Sequence, residues 1–99
     1  MENIVMKILE RKKLELQFID VKVSLKVNFA ALSTDILFDT LADADKVYDV
    51  LSNQEVFDGC YNIVEKVTSK TIRVIGEIAV KYLNTNTLVV EVYKDWRML

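Results

Sequence analysis

Histidine and proline are absent from this 99-residue chain, glycine occurs twice, and cysteine and tryptophan once each. Without imidazole and with a single thiol, the chain has no tetrahedral ligand set for zinc. The same lack leaves Cys60 without the usual base that would make it a nucleophile, so a buried structural cysteine is expected. One cysteine forms no internal disulfide, which agrees with a reducing compartment. The longest apolar run is four residues, Phe29–Leu32, against the roughly 18 that a membrane span requires. At the N-terminus Glu2 precedes the apolar segment and the basic cluster follows it, the reverse of a secretory signal. These absences predict an intracellular, cytoplasmic chain with no membrane span, no cofactor and no enzymatic activity.

What is present is apolar. Residues of the hydrophobic classes make up 52% of the chain, above the roughly 45–50% of ordinary globular proteins. A domain of this size cannot hide that much inside itself, so some apolar surface is expected to meet a partner. Net charge is only −2, but its distribution is uneven: six basic and three acidic residues lie from Lys7 to Lys26, and seven acidic residues against Lys46 alone from Asp35 to Asp58. A molecule polar in this way can meet its own copies head to tail, or face phosphate with its basic end. Lys7, Arg11, Lys12 and Lys13 form the candidate basic patch. Interleaved acids and the lack of neighbouring aromatic residues make it a solvated face rather than a nucleic-acid site.

Periodicity separates the elements. Ile4, Val5, Ile8 and Leu9 have helical spacing, and a short helix is expected there, although a short strand accepts the same residues. Leu14, Leu16 and Phe18 alternate with polar residues; after Ile19-Asp20 the alternation resumes on the other phase at Val21, Val23, Leu25, Val27 and Phe29. A slip of one residue marks a bulge or tight turn. Ser33 or Thr34 is then expected to cap a helix running to Ser52, with Leu37, Leu41, Ala44, Tyr48 and Leu51 on its buried stripe and Leu41 and Tyr48 at the centre. The last third is strand-like: Tyr61, Ile63 and Val67, a turn at TSK, then Ile72 to Tyr82 alternating over eleven residues with Gly76 at a bulge or close crossing. NTNT (Asn84–Thr87) reads as a hairpin turn before Leu88, Val90 and Val92.

Four aspartates crowd into DTLADADKVYD (Asp39–Asp49). On one helix Asp35, Asp39, Asp43, Asp45 and Asp49 all turn away from the apolar stripe, which reads as a solvated face. A calcium loop starting at Asp43 requires Gly and Glu where Tyr48 and Gln54 stand, so no metal site is expected. Asp58 with Glu55 is a carboxylate pair of a kind too common near loops to imply acid–base chemistry.

Ala42 to Val67 resembles the opening of the START-like helix-grip family, through Val47-Tyr48, Leu51-Ser52-Asn53, Glu55, Phe57, Cys60 and Val67. That resemblance implies a curved antiparallel sheet closed over an apolar cavity, and hence a small apolar ligand. As a whole the chain is similar in style to small orphan proteins of hyperthermophilic archaea and their filamentous viruses, being rich in Val, Ile, Leu and Lys, with 28% charged residues and no His or Pro. This likeness implies high stability resting on ion pairs and packing, and a place in the cell or in a virus-infected host cell.

The expected architecture is a single α+β domain over residues 1–99: an antiparallel sheet of about five strands, one long amphipathic helix on one face, and a short N-terminal helix or strand extension. Ile72, Val74, Ile78 and Val80 should pack beneath the helix. The opposite phase, Ile75, Ala79, Leu83, Val89 and Tyr93 with Trp96 as an anchor, is the candidate interface of a symmetric homodimer. The function expected is a non-enzymatic interaction or assembly role, with a further protein partner left open. An apolar-ligand binder is the alternative and a weak nucleic-acid binder the third.

Overall fold

Alternating apolar residues build two sheets here, not one. The computed structural model describes residues 4–10, 13–53, 62–76 and 78–93. In chain order they form β1 (Ile4–Glu10), β2 (Lys13–Phe18), β3 (Val23–Asn28), β4 (Ser33–Phe38), α1 (Leu41–Leu51), β5 (Asn62–Thr68), β6 (Thr71–Gly76), β7 (Ile78–Leu83) and β8 (Thr87–Tyr93). The first sheet has the order β1-β2-β8-β7 and the second β3-β4-β6-β5, with every pairing antiparallel. The described residues are therefore mostly strand, and the expectation of one sheet of about five strands under a long helix is overturned.

The chain changes sheet at two corners, and each has a local cause. At Ile19-Asp20, Asp20 takes a left-handed φ of 61°, which Asp tolerates better than most residues. The turn shifts the alternation by one, so that Phe18 and Val21 are both fully buried on either side of it. The Val21 N–H donates to the Asn86 carbonyl at 3.0 Å. The Tyr82 hydroxyl donates to the Val21 carbonyl at 2.9 Å and lies equally near the Asn86 side-chain oxygen. The second corner is Gly76, at φ 118°, a conformation that a Cβ would oppose. It divides the eleven-residue alternation: Ile72 and Val74 belong to β6 in the second sheet, Ile78, Val80 and Tyr82 to β7 in the first.

The N-terminal segment is strand, with Ile4 opposite Phe18 and Ile8 opposite Leu14; its helical spacing is overruled by a paired neighbour. Residues 33–38, expected as the first turns of the helix, are strand β4. Ile36 and Phe38 turn inward and Leu37 outward, and the strand pairs on both sides, with β3 and β6. The helix begins only after Thr40, whose backbone is extended and whose Oγ1 accepts the Asp43 N–H at 3.2 Å, satisfying one of the unpaired donors of the first turn. Its eleven residues bury Ala44, Val47 and Leu51. Leu41, expected at the centre of the stripe, is 48% exposed, because it opens the helix. Tyr48 is only half-buried.

One continuous cluster joins the inner faces: Leu14, Leu16 and Phe18 with Leu88, Val90 and Val92 from the first sheet, Val23, Ile36, Phe38, Ile72 and Val74 from the second, and the three buried residues of α1. Burying each of the larger side chains contributes roughly 1.5–3 kcal/mol. The helix lies beside β4, β5 and β6, so it covers the second sheet. Ile78 and Val80, expected beneath it, lie on the first sheet instead.

Candidate interaction surface

On the outer face of the second sheet, four charges of alternating sign stand in one row. Lys26 is opposite Asp35, Asp35 opposite Arg73, and Arg73 opposite Glu65. Arg73 grips Asp35 with both arms of its fork, Nε to Oδ1 at 2.8 Å and Nη2 to Oδ2 at 3.1 Å, the geometry that makes arginine–carboxylate pairs specific. These hydrogen bonds hold the Asp35 carboxyl below its ordinary range against the opposing effect of burial, with the charges of Arg73 and Lys26 acting in the same direction. The Arg73 guanidinium is correspondingly pushed up. The bond ties β4 to β6, and the charges of Lys26 on β3 and Glu65 on β5 favour it from either side.

The aspartates do not form one helical face. Asp35 is on β4 and Asp39 in the link before α1, where its N–H donates to the Lys22 carbonyl at 3.1 Å. Asp43 sits in the first turn of the helix, where a negative charge complements the dipole. Asp45 is paired with Lys66 of β5, whose ammonium also stands 5.6 Å from the centre of the Tyr48 ring, within cation–π range. This group fastens α1 to the edge of the sheet. Asp49 is exposed. Among the described residues, no three acidic, histidine or cysteine side chains gather as a metal site would require.

The candidate dimer residues are distributed over two sheets. Ile75 is on the outer face of the second; Ala79, Leu83 and Val89 share the outer face of the first. Val89 is only 5% exposed, and Glu91 beside it is buried too, with Lys81 Nζ 3.0 Å from its Oε1. Both faces of β8 are thus covered within one chain. Leu83 remains largely accessible. Tyr93 is opposite Lys13 at the end of β8, while Trp96 lies outside the described residues, as do Cys60, Glu55 and Asp58. Of the basic patch, Lys7 is on β1 and Lys13 opens β2; Arg11 and Lys12 lie outside the described residues.

The β3–β4 hairpin carries a feature that sequence reasoning passed over. The alternating set that starts buried at Val21 and Val23 becomes half-buried at Leu25, 52% exposed at Val27 and 83% exposed at Phe29. The strand runs off the end of the core with its apolar phase intact. Phe29 to Leu32 form the turn: the Asn28 side-chain oxygen accepts the Ala31 N–H at 3.1 Å, and Leu32 is held at φ 52°, a left-handed conformation unfavourable for leucine. Leu32 is also 79% exposed. The signal was available: an alternation of nine residues outruns the usual five or six of a strand, and NFAAL begins with a turn-forming Asn.

Comparison with protein-family models, with curated proteins and with solved structures found no match for this chain. No helix among the described residues is long and apolar enough to cross a membrane.

Proposed function

We propose that this protein has a non-enzymatic assembly role and works as a homodimer, with the β3–β4 hairpin tip as the contacting element. The observation that carries the reading is the exposure of Phe29 and Leu32, both in the turn between β3 and β4. Burying either side chain against a partner is worth roughly 1.5–3 kcal/mol that the isolated chain forgoes. Leu32 also holds a left-handed φ of 52° at the turn, a conformation unfavourable for leucine. Scattered apolar residues on a surface need no account, whereas a contiguous apolar projection marks an interaction site. Asp35 is engaged in a strand-to-strand tie, the Asp43 backbone N–H in the start of the helix, and Asp45 in a helix-to-sheet clamp.

The test is sedimentation equilibrium over a concentration series. The expected result is a monomer–dimer equilibrium at micromolar concentrations. A chain that stays monomeric at about 100 μM, where a dissociation constant implies only about 5.5 kcal/mol, overturns this reading.

A further inference from the structure

β3 is an edge strand. Among the described residues it pairs only with β4, and Ser24, Lys26, Val27 and Asn28 are all exposed. Its first end is occupied, since the Val21 corner is bonded to Asn86 and to the Tyr82 hydroxyl of β7. The free length is the distal half, next to the apolar tip. An exposed edge of this kind is a template for another strand.

We propose that two copies join β3 to β3 in antiparallel fashion about a two-fold axis at Val27, making one continuous eight-stranded sheet from the two second sheets. The proposal rests on the homodimer reading above and specifies its geometry. A two-fold axis normal to the sheet keeps inner faces together, so one residue must stand opposite itself. Centring on Lys26 sets like charges face to face, which is destabilising. Centring on Leu25 brings Val27 against the partner's Val23 and Phe29 against the partner's Val21, the end already taken by β7. Centring on Val27 avoids both faults. It pairs Val27 with Val27 and Lys26 with the partner's Asn28, and brings Phe29 over the partner's Leu25, the residue at which the core runs out.

A half-strand of edge and a four-residue turn put the dimer at the low end of specific interfaces, below about 1,200 Å² in total, and make it concentration-dependent. A phosphate-bearing surface fits less well. The one cation on the hairpin, Lys26, stands in the row with Asp35, and the chain is net negative.

Register-specific cross-linking tests the proposal. In a Cys60→Ser background, Val27→Cys should oxidise to a covalent dimer, because residues opposed on the axis have Cβ atoms about 5 Å apart. Ser24→Cys, exposed on the same strand but three residues from the axis, should not, its two copies lying about 20 Å apart. In the unaltered background, Val27→Lys should raise the dimer dissociation constant at least tenfold with circular dichroism unchanged. A parent that dimerises while Val27→Cys stays uncross-linked, or while Val27→Lys leaves the constant unchanged, overturns the β3 axis and leaves the homodimer reading standing. A monomeric parent overturns both, and a monomer that sediments with zwitterionic or anionic lipid vesicles assigns the tip to a membrane surface instead.

Discussion

Arg73 donates two N–H groups to Asp35 and holds its carboxyl below the ordinary value of 3.8, which ties stability to pH with a definite sign. A folded-state value below the unfolded one contributes stability that is fully present above the unfolded value and is lost as pH falls through the lower, folded one. The gap in urea midpoint between the parent and Asp35→Asn should therefore be complete at neutral pH and close as pH falls below about 4. A gap that persists unchanged at lower pH would rule out the ion pair as its source. Burial separates the helix leucines as sharply. Leu51→Ala, which empties a fully buried site, should cost about 2–5 kcal/mol, and Leu41→Ala less than about 1 kcal/mol as a surface change. Chemical denaturation of the two variants checks the order. The repeat of apolar residues at helical spacing included Leu41, but spacing does not say where a helix starts. Thr40, followed three residues later by Asp43, was the local sign of that start.

Among the elements, the corners were more legible than the strands they join. The phase slip at Ile19-Asp20 and the glycine at position 76 were both visible as interruptions, and the chain turns from sheet to sheet at each. The NTNT hairpin was also legible, and Asn86 takes the left-handed φ of 54° that such a turn requires. Gly76→Ala should lower stability by more than about 1 kcal/mol, because the new Cβ meets a backbone at φ 118°. A melting curve for that variant indistinguishable from the parent's would show that the corner relaxes. Residues 33–38 were the least legible segment. Ile36, Leu37 and Leu41 satisfy a helical repeat, while Ile36 and Phe38 satisfy strand alternation equally well. The choice was made by β3 and β6, which hydrogen-bond the segment from both sides.

At the scale of the molecule, charges separated along the chain meet across one sheet among the described residues. Lys26, Asp35, Glu65 and Arg73, drawn from distant stretches, alternate within one row. Fluorescence anisotropy with duplex and single-stranded probes at physiological salt should accordingly give dissociation constants weaker than about 1 μM. Tighter binding lost on neutralising Arg11, Lys12 and Lys13 would reverse that expectation. By itself the sequence determined which residues alternate, where the alternation breaks, and that no histidine-based chemistry is open to the chain. Only the tertiary structure decided how many sheets there are and where the apolar phase leaves the core. Alternation records whether a side chain points inward, not which strand lies beside it. That second quantity depends on pairings between residues far apart in sequence, such as Phe18 with Leu88 and Asp35 with Arg73, whose partners are chosen only when both faces find cover.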